Sequence, residues 1–541
     1  MIQQKLPITF LATIALLFCS QTKAQLYINS ATFFIQPGAT VTVQGNVTSN
    51  TNIQGTGTVI LNGSSNQTVD MGGNSIQNLQ VNNPAGSTLL SNLIVGKSLA
   101  FTSGTITLGS NSIFLYDTTV VSGEGAGNFI ATNGTGQAIV NLTGSNFTSY
   151  VVPVGQATTY RPAILTTTGS HTASANVGVR VATAGDPNKP PMISDYLLAY
   201  WPITQTGITG TLSVAGQYNG TSDISGSQTN LKGYFFNGTD WSSASGTSTT
   251  GSNQVATTVT GAGGDVYGMD GFIVLKAKVF LQGAYNTSTG VMSYGLMTKG
   301  LLPLTDPYRV APYNSNFTQV ADANTETTTT SVLTTQATSS NNIVDWVFVE
   351  LRSTSASPGN TVLQTRSALL QSNGNIVDMD GTSPITFNNI PAGNYRIGIR
   401  HRNHLEVCIN ATSLKALSET NSTATTLDFT NNISQLYAGT VSNTAAATVG
   451  GSYAMWGGDA NESKITRYGG PSNDENVLLN TTLSGNKTAV LAVSSYTSPL
   501  LNSDLNLDGT VRYGGPNNDE NILLNIVLAG NKTAVITQPT Y

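Results

Sequence analysis

Near its C-terminus the chain twice sets oxygen-bearing side chains at alternate positions of a short segment. Asp504, Asn506 and Asp508 occupy positions 1, 3 and 5 of one segment and are followed by Gly509 and Thr510. Asp459, Asn461 and Ser463 hold the same positions 45 residues earlier and are followed by Lys464 and Ile465. Each segment runs into RYGGP, an Asn-Asp-Glu-Asn run, an apolar stretch and GNKTAV. Calcium takes six to eight oxygens, and alternation presents carboxylates and amides on one side of a tight turn. The chemistry indicated is therefore calcium coordination by side-chain oxygens at positions 1, 3 and 5. The backbone carbonyl of Thr510, or of Ile465, would serve at position 7, and Gly509 permits the sharp turn at position 6.

An EF-hand loop closes its shell with an acid at position 12, which here is Gly515; the first available acid is Asp519, fifteen residues after Asp504. Asp474 stands at the same offset from Asp459. An offset shared by both copies predicts a variant loop, closed by Asp519 or Glu520 and by Asp474 in the first copy. The first loop is expected to bind more weakly. Ser463 replaces a charged ligand, and Lys464 takes the glycine position, with a steric cost in left-handed backbone and a like charge beside the cation.

After each loop the pattern turns helical. Asn473 and Asn518 can cap, the Asp-Glu pairs suit the first turn, and Gly485 and Gly530 end the segments. Val477, Leu478, Leu479 and Leu483, like Ile522, Leu523, Leu524, Val527 and Leu528, form apolar stripes. Two such loop-helix units resemble dockerin type I modules. The resemblance implies a small unit that draws part of its folding energy from metal. Its stripes need cover, from a cohesin-like module on another chain or by docking on the same chain. The apolar, Gly-rich bridge from DFTNN to YAMWGGD favours intramolecular docking.

What positions these loops is a chain of 541 residues with 56 Gly, few charges and a net charge of −5. Residues 1–24 read as a signal peptide: Lys5, an apolar stretch from Leu11 to Phe18, and Ala24 before the junction with Gln25. Cys19 follows Phe18, too bulky for a lipoprotein junction. Losing Lys5 and Lys23 takes the net charge to −7. With no basic cluster, nucleic acid is not an expected partner. No later apolar stretch is long enough for a transmembrane segment. The expected setting is secreted and extracellular, associated with the cell surface. Cys408 alone remains in the processed chain, so it is expected to be a buried apolar residue without a disulfide partner.

The fold expected is mostly β, because short β-branched runs alternate with Gly and Asn turns. Residues 26–140 read as a short parallel β-helix or solenoid, with a β-sandwich as the alternative. Residues 146–272 and 276–456 read as two β-sandwich modules, and 457–541 as the paired calcium-loop unit. Trp201 and Trp241 suit either a sugar-stacking platform or a sandwich core, and core is preferred. Asp378-Met-Asp380-Gly381 reads as a turn, since two carboxylates fall short of a calcium shell.

The order of NGNIVDMDG and PITFNNIPAGNYRIGIR resembles prealbumin-like sandwiches. The segments VFLQGAYN, GLLPLTDPY, DWVFVELR, RSALLQSNGNIVDMDG, IRHRNHL, LDFTN and YAMWGGD cover about 279–541 together with the terminal loops. They resemble the C-terminal region of hemagglutinin-like or adhesin-like secreted surface proteins of Gram-negative bacteria. That resemblance implies surface display or adhesion, with a surface glycan as one candidate partner.

Enzyme signatures are lacking: there is no HExxH and no Gly-x-Ser-x-Gly elbow. His401 and His404, read on a strand, are expected to point to opposite faces. The expectation is a non-enzymatic adhesion or structural protein. The alternative is a carbohydrate-active accessory protein or polysaccharide lyase using a β-helix cleft, since a glycosidase-type pair needs only two carboxylates.

Overall fold

In the computed structural model, residues 24–540 are described except 145, 147–148, 191–192, 244–247, 323–324, 335–338, 356–360 and 499. The expected signal peptide, residues 1–23 of it, lies outside the described residues. The chain is mostly β, and residues 26–155 form a β-solenoid of about six turns. Among the described residues no helix is long and apolar enough to cross a membrane.

The solenoid follows from period-2 alternation. In one parallel sheet Leu26–Ile28 pairs with Val47–Ser49, which pairs with Gln67–Asp70, then Ser87–Leu89, Ile106–Thr107, Ile130–Ala131 and Val154–Gln156. A second parallel sheet stacks Phe33–Ile35, Ile53–Leu61, Ser75–Asn82, Leu93–Ser103, Ile113–Tyr116 and Ala138–Asn141. Inward positions are apolar and sealed, as Val59, Leu79, Leu99, Leu115 and Val140 show at 0% exposure. In these two stacks register partners lie between 19 (Ser87 to Ile106) and 25 (Ile113 to Ala138) residues apart. Rungs of unequal length hide the period from the sequence, yet each keeps inward positions in line. Gln67, buried at a corner, accepts Gly63 N (2.8 Å) and Asn83 Nδ2 (3.0 Å) and donates to Val43 O (3.0 Å).

Contacts divide the chain into two compact units, one of residues 1–182 with 201–219 and one of 183–200 with 220–541. Residues 146–272 thus contribute to both. In the first unit the stack ends in antiparallel strands, Ala138–Asn141 pairing with His171–Val179 and that strand with Trp201–Ile208. Trp201 is fully buried and donates Nε1 to Arg161 O (3.0 Å).

In the second unit the longest sheet has the order His404–Cys408, Gly393–His401, Ile343–Arg352, Val362–Gln371, Asn375–Val377, Ala277–Lys278, Leu427–Asp428. All ten residues of Ile343–Arg352 are buried, so the strand is covered on both faces. One apolar cluster joins Trp346, Phe348, Ile397 and Ile399 of this sheet to Leu478, Leu483, Leu501, Leu507 and Val511 of the terminal repeat. Segments 276–456 and 457–541 therefore share a core. Burying each such side chain stabilises by about 1.5–3 kcal/mol.

The corners supply a test of the solenoid. Gly104 (φ +93°) and Gly109 (φ +62°) are both left-handed, but a Cβ on Gly104 would sit 1.8 Å from Asn83 O while one on Gly109 meets nothing within 4 Å. Gly109→Ala is expected to cost about 1–2 kcal/mol, the price of the backbone conformation alone. Gly104→Ala is expected to cost well above about 3 kcal/mol, because it also forces backbone apart. Urea unfolding followed by circular dichroism measures both; equal losses would contradict this rung geometry.

Candidate functional site

Both loops adopt the same backbone despite their different sequences. Left-handed residues recur at position 4 (Glu462, φ 56°; Leu507, φ 60°) and position 6 (Lys464, φ 64°; Gly509, φ 74°). Three of these four carry a Cβ and bear the strain of that conformation, at about 1–2 kcal/mol each.

The position-1 carboxylates organise the turns. Asp504 accepts Asp508 N through Oδ1 (3.0 Å) and Gly509 N through Oδ2 (2.7 Å). Asp459 accepts Ser463 N (2.8 Å) and Lys464 N (2.9 Å) in the same way. Asn506 accepts Asp508 N (3.0 Å) and donates to Asn517 O (2.8 Å); Asn461 accepts Ser463 N (3.1 Å) and donates to Ser472 O (2.8 Å). At position 5, Ser463 Oγ donates to Ile465 O (3.1 Å). Asp508 differs: its Oδ2 lies 3.8 Å from Arg512, and its Oδ1 is buried without a hydrogen-bond partner among the described residues. Thr510 and Ile465 open the short strands Thr510–Arg512 and Ile465–Arg467, and Thr510 Oγ1 accepts Lys299 Nζ (2.6 Å).

The acid that returns to each loop is the aspartate of the Asp-Glu pair. Asp519, fully buried, accepts Leu505 N (2.8 Å) and Arg512 N (2.9 Å). Asp474 accepts Ala460 N (2.9 Å) and Arg467 N (2.9 Å). Glu520 and Glu475 turn the other way and accept from the Tyr468 and Tyr513 hydroxyls of the opposite copies (2.9 and 2.8 Å). The two copies are thereby interlocked. The strand Ile465–Arg467 pairs with Val535–Thr537, and Val490–Ala492 with Thr510–Arg512. Asn473 and Asn518 cap the helical segments by accepting Asn476 N and Asn521 N (2.7 Å each). Gly485 and Gly530, both left-handed, end them. Each segment begins as one α-turn and continues as a π-turn.

These carboxylates are electrostatically unsettled. Burial pushes Asp504 up to about 7, with Asp508 adding to the rise and Arg402 opposing it. Burial and then Asp504 hold Asp519 well above the usual carboxylate range. In the first loop burial lifts Asp459 to about 6, and burial with Asp459 lifts Asp474 to about 8. Buried carboxylates that repel one another are satisfied by a proton or by a cation. Oxygen donors that are carboxylates, amides and carbonyls suit a hard cation such as calcium. Among the described residues no three His, Cys, Asp or Glu side chains already meet as a metal cluster. The loop carboxylates are drawn towards backbone N–H groups instead. The charge of Lys464 offsets part of the rise that burial imposes on Glu406.

A second group of polar side chains was not legible in the sequence. His401 and His404 are register partners across a tight hairpin, so they share a face, against the expectation for one continuous strand. Their Nδ1 atoms are 3.1 Å apart, and His401 Nε2 lies 3.1 Å from Asp345 Oδ2. Asp345 also accepts Arg402 Nη2 (2.8 Å) and the Tyr496 hydroxyl (2.6 Å). Burial pushes Asp345 up, but Arg402, His401 and Tyr496 outweigh it and hold the carboxyl below its ordinary value. Arg402 Nη1 donates to Leu501 O (2.9 Å), and Asn403 Nδ2 donates to Asn502 O (3.2 Å) and Asp504 O (3.0 Å). The hairpin thus grips the chain leading into the second loop. Cys408 is buried, and burial lifts its thiol to about 12, which leaves it an inert apolar group. Asp378 is buried against Arg366 (2.9 Å), while Asp380 accepts Thr382 N (2.9 Å) and Ser383 N (2.8 Å) as a turn residue does.

No family model matches the chain, and no curated protein or solved structure is similar to it at a significant level.

The raised loop carboxylates fix the sign of a pH effect in the ion-free protein. Groups whose folded values lie above about 3.9 contribute stability that is full below that value and is lost as pH rises through about 6 for Asp459, 7 for Asp504 and 8 for Asp474. In chelator, the melting temperature of the C-terminal unit is expected to fall between pH 5 and 8. A cation bound among these oxygens would flatten that fall by replacing the protons, which addition of millimolar calcium tests. Scanning calorimetry across this range checks both; a rise with pH in chelator would contradict the burial of these acids.

Proposed function

We propose that this chain is a secreted, surface-associated adhesion or structural protein without enzymatic activity, whose terminal repeat binds calcium in two dockerin-like loops. The observation that carries the calcium reading is the second loop. Asp504 and Asp519 are fully buried, Asp508 raises both, and Asp508 Oδ1 is buried with no hydrogen-bond partner among the described residues. A divalent cation among these oxygens removes the repulsion and supplies the missing partner. Asp504, Asn506, Asp508, Asp519 and the Thr510 carbonyl would hold it, with Asp459, Asn461, Ser463, Asp474 and the Ile465 carbonyl in the weaker loop.

Docking of the repeat within its own chain is favoured over a cohesin-like partner. The apolar cluster shared by Trp346 and Phe348 with Leu478 and Leu501 supports it, as do the grips of Arg402 and Asn403 on the second loop. Calcium then acts as a lock on a C-terminal unit exposed to the extracellular medium. The leader-like residues Lys5 and Leu11 to Phe18 support secretion. Outward positions of one solenoid face carry Thr68, Thr88 and Thr107 in register.

Calorimetry on the whole chain tests the lock. Extracellular calcium modules bind at about 10⁻⁴ to 10⁻³ M, so a concentration about tenfold above this stabilises by about 1.4 kcal/mol per site. Such a change raises the melting of the C-terminal unit by a few degrees. Asp508→Ala should abolish most of the increment and Ser463→Ala little of it, since one deletes a charged ligand and the other a neutral one. Identical melting of the native chain in calcium and in chelator would sink the proposal.

A further inference from the structure

Between the hairpin tip at Phe236–Trp241, the strand Phe272–Leu275 and the loop at Glu419–Asn421, the second unit forms a half-open cavity of about 350 Å³. That volume falls within the range of small-molecule sites, about 300–1,000 Å³. One part of its wall is aromatic. Phe236 and Trp241 lie 5.0 Å apart between ring centroids, and Phe272 stacks on Tyr234 at 5.6 Å. Trp241 is held by its Nε1, which donates to Asn188 O (2.9 Å).

The rest of the wall is polar and rich in acceptors. Asp240 accepts Ser422 N through Oδ1 (2.7 Å), and Glu419 accepts the Ser243 hydroxyl through Oε1 (2.5 Å), which orients both carboxylates. Two further polar atoms in this wall have no hydrogen-bond partner among the described residues. Thr386 is 4% exposed, its backbone is held by pairing with Val274 and by Arg366, and its Oγ1 is buried and unbonded. Asn421 is held through its carbonyl, which accepts Lys276 Nζ (2.8 Å), while its Oδ1 is buried and unbonded. Buried polar atoms of this kind cost free energy unless a ligand or water meets them. Both residues line the cavity, and the side-chain oxygens of both are buried and unsatisfied.

The geometry points to a binding site for a hexopyranose, the terminal sugar of a glycan. A pyranose offers an apolar C–H face for the aromatic wall and a ring of hydroxyl donors for Asn421, Thr386, Asp240 and Glu419. The inference rests on the adhesion reading and gives it a ligand class. It does not draw on the calcium loops.

Saturation-transfer NMR on the full processed chain, with the methyl glycosides of glucose, galactose, mannose and N-acetylglucosamine, tests it in calcium and in chelator. Saturable transfer to the ring protons of at least one glycoside is expected in both media. Asn421→Ala and Thr386→Val should each weaken it at least tenfold, with Thr386→Ser restoring most of it. Thermal melting confirms that each variant is folded, and Thr386→Val, close in shape to the native residue, keeps the test valid if Asn421→Ala is not. Transfer from none of the four glycosides, or transfer unchanged in a folded Thr386→Val, overturns the site. Either failure leaves the calorimetric test of the calcium loops standing, because that test contains no sugar.

Discussion

Asp345 sits fully buried on the central strand of the second unit, and its carboxylate is met by Arg402, His401 and Tyr496 at 2.8, 3.1 and 2.6 Å. A carboxylate in that position is tolerable only while its cation stays in place, and removing Arg402 leaves an uncompensated charge at a cost of about 3–5 kcal/mol. The partners come from three places in the chain: the sheet itself, the turn after it, and the approach to the second loop. The node therefore does more than satisfy a charge. It fixes where the terminal repeat joins the sheet, and Arg402 carries its influence onward to Leu501 and Asp504.

A chain with so few charges concentrates them. Arg309 meets Asp306, Asp322 and Glu326, and Arg366 meets Glu326 and Asp378, so four buried acids share two guanidinium groups. Burial lifts Asp306 to about 6 and Asp322 to about 7, with Glu326 adding to both. The same imbalance, acids outnumbering cations in a dry setting, recurs in the terminal loops. There the surplus acids are held by loop backbone N–H groups; around Arg309 they are held by arginine.

Two routes to rigidity meet in one chain. The solenoid relies on stacked parallel rungs, inward apolar ladders and buried amides such as Gln67, with hardly any charge. The second unit relies on ionic nodes buried within a continuous apolar cluster. Its aromatic, acceptor-rich cavity is formed where the hairpin at Trp241 meets the loop at Glu419, elements that no local pattern links.

Local chemistry was legible in the residues. Alternation announced the strands, Asn473 and Asn518 announced the caps, Gly485 and Gly530 the ends, and Asp504, Asn506 and Asp508 the oxygen-bearing turn. Each of these depends on neighbours within a few residues, which is the range over which backbone geometry and side-chain spacing are fixed. The choice of Asp519 over Glu520 as the acid facing the loop needed the fold, because Glu520 is claimed by Tyr468 of the other copy. The pairing of His401 with His404 needed the hairpin turn between them, and the Asp345 node needed Tyr496, 151 residues away. The rung register was hidden by unequal rung lengths, and the core shared by the sheet and the terminal repeat by the distance between its parts. Such features arise from which surfaces meet after folding, and only the tertiary structure decides that.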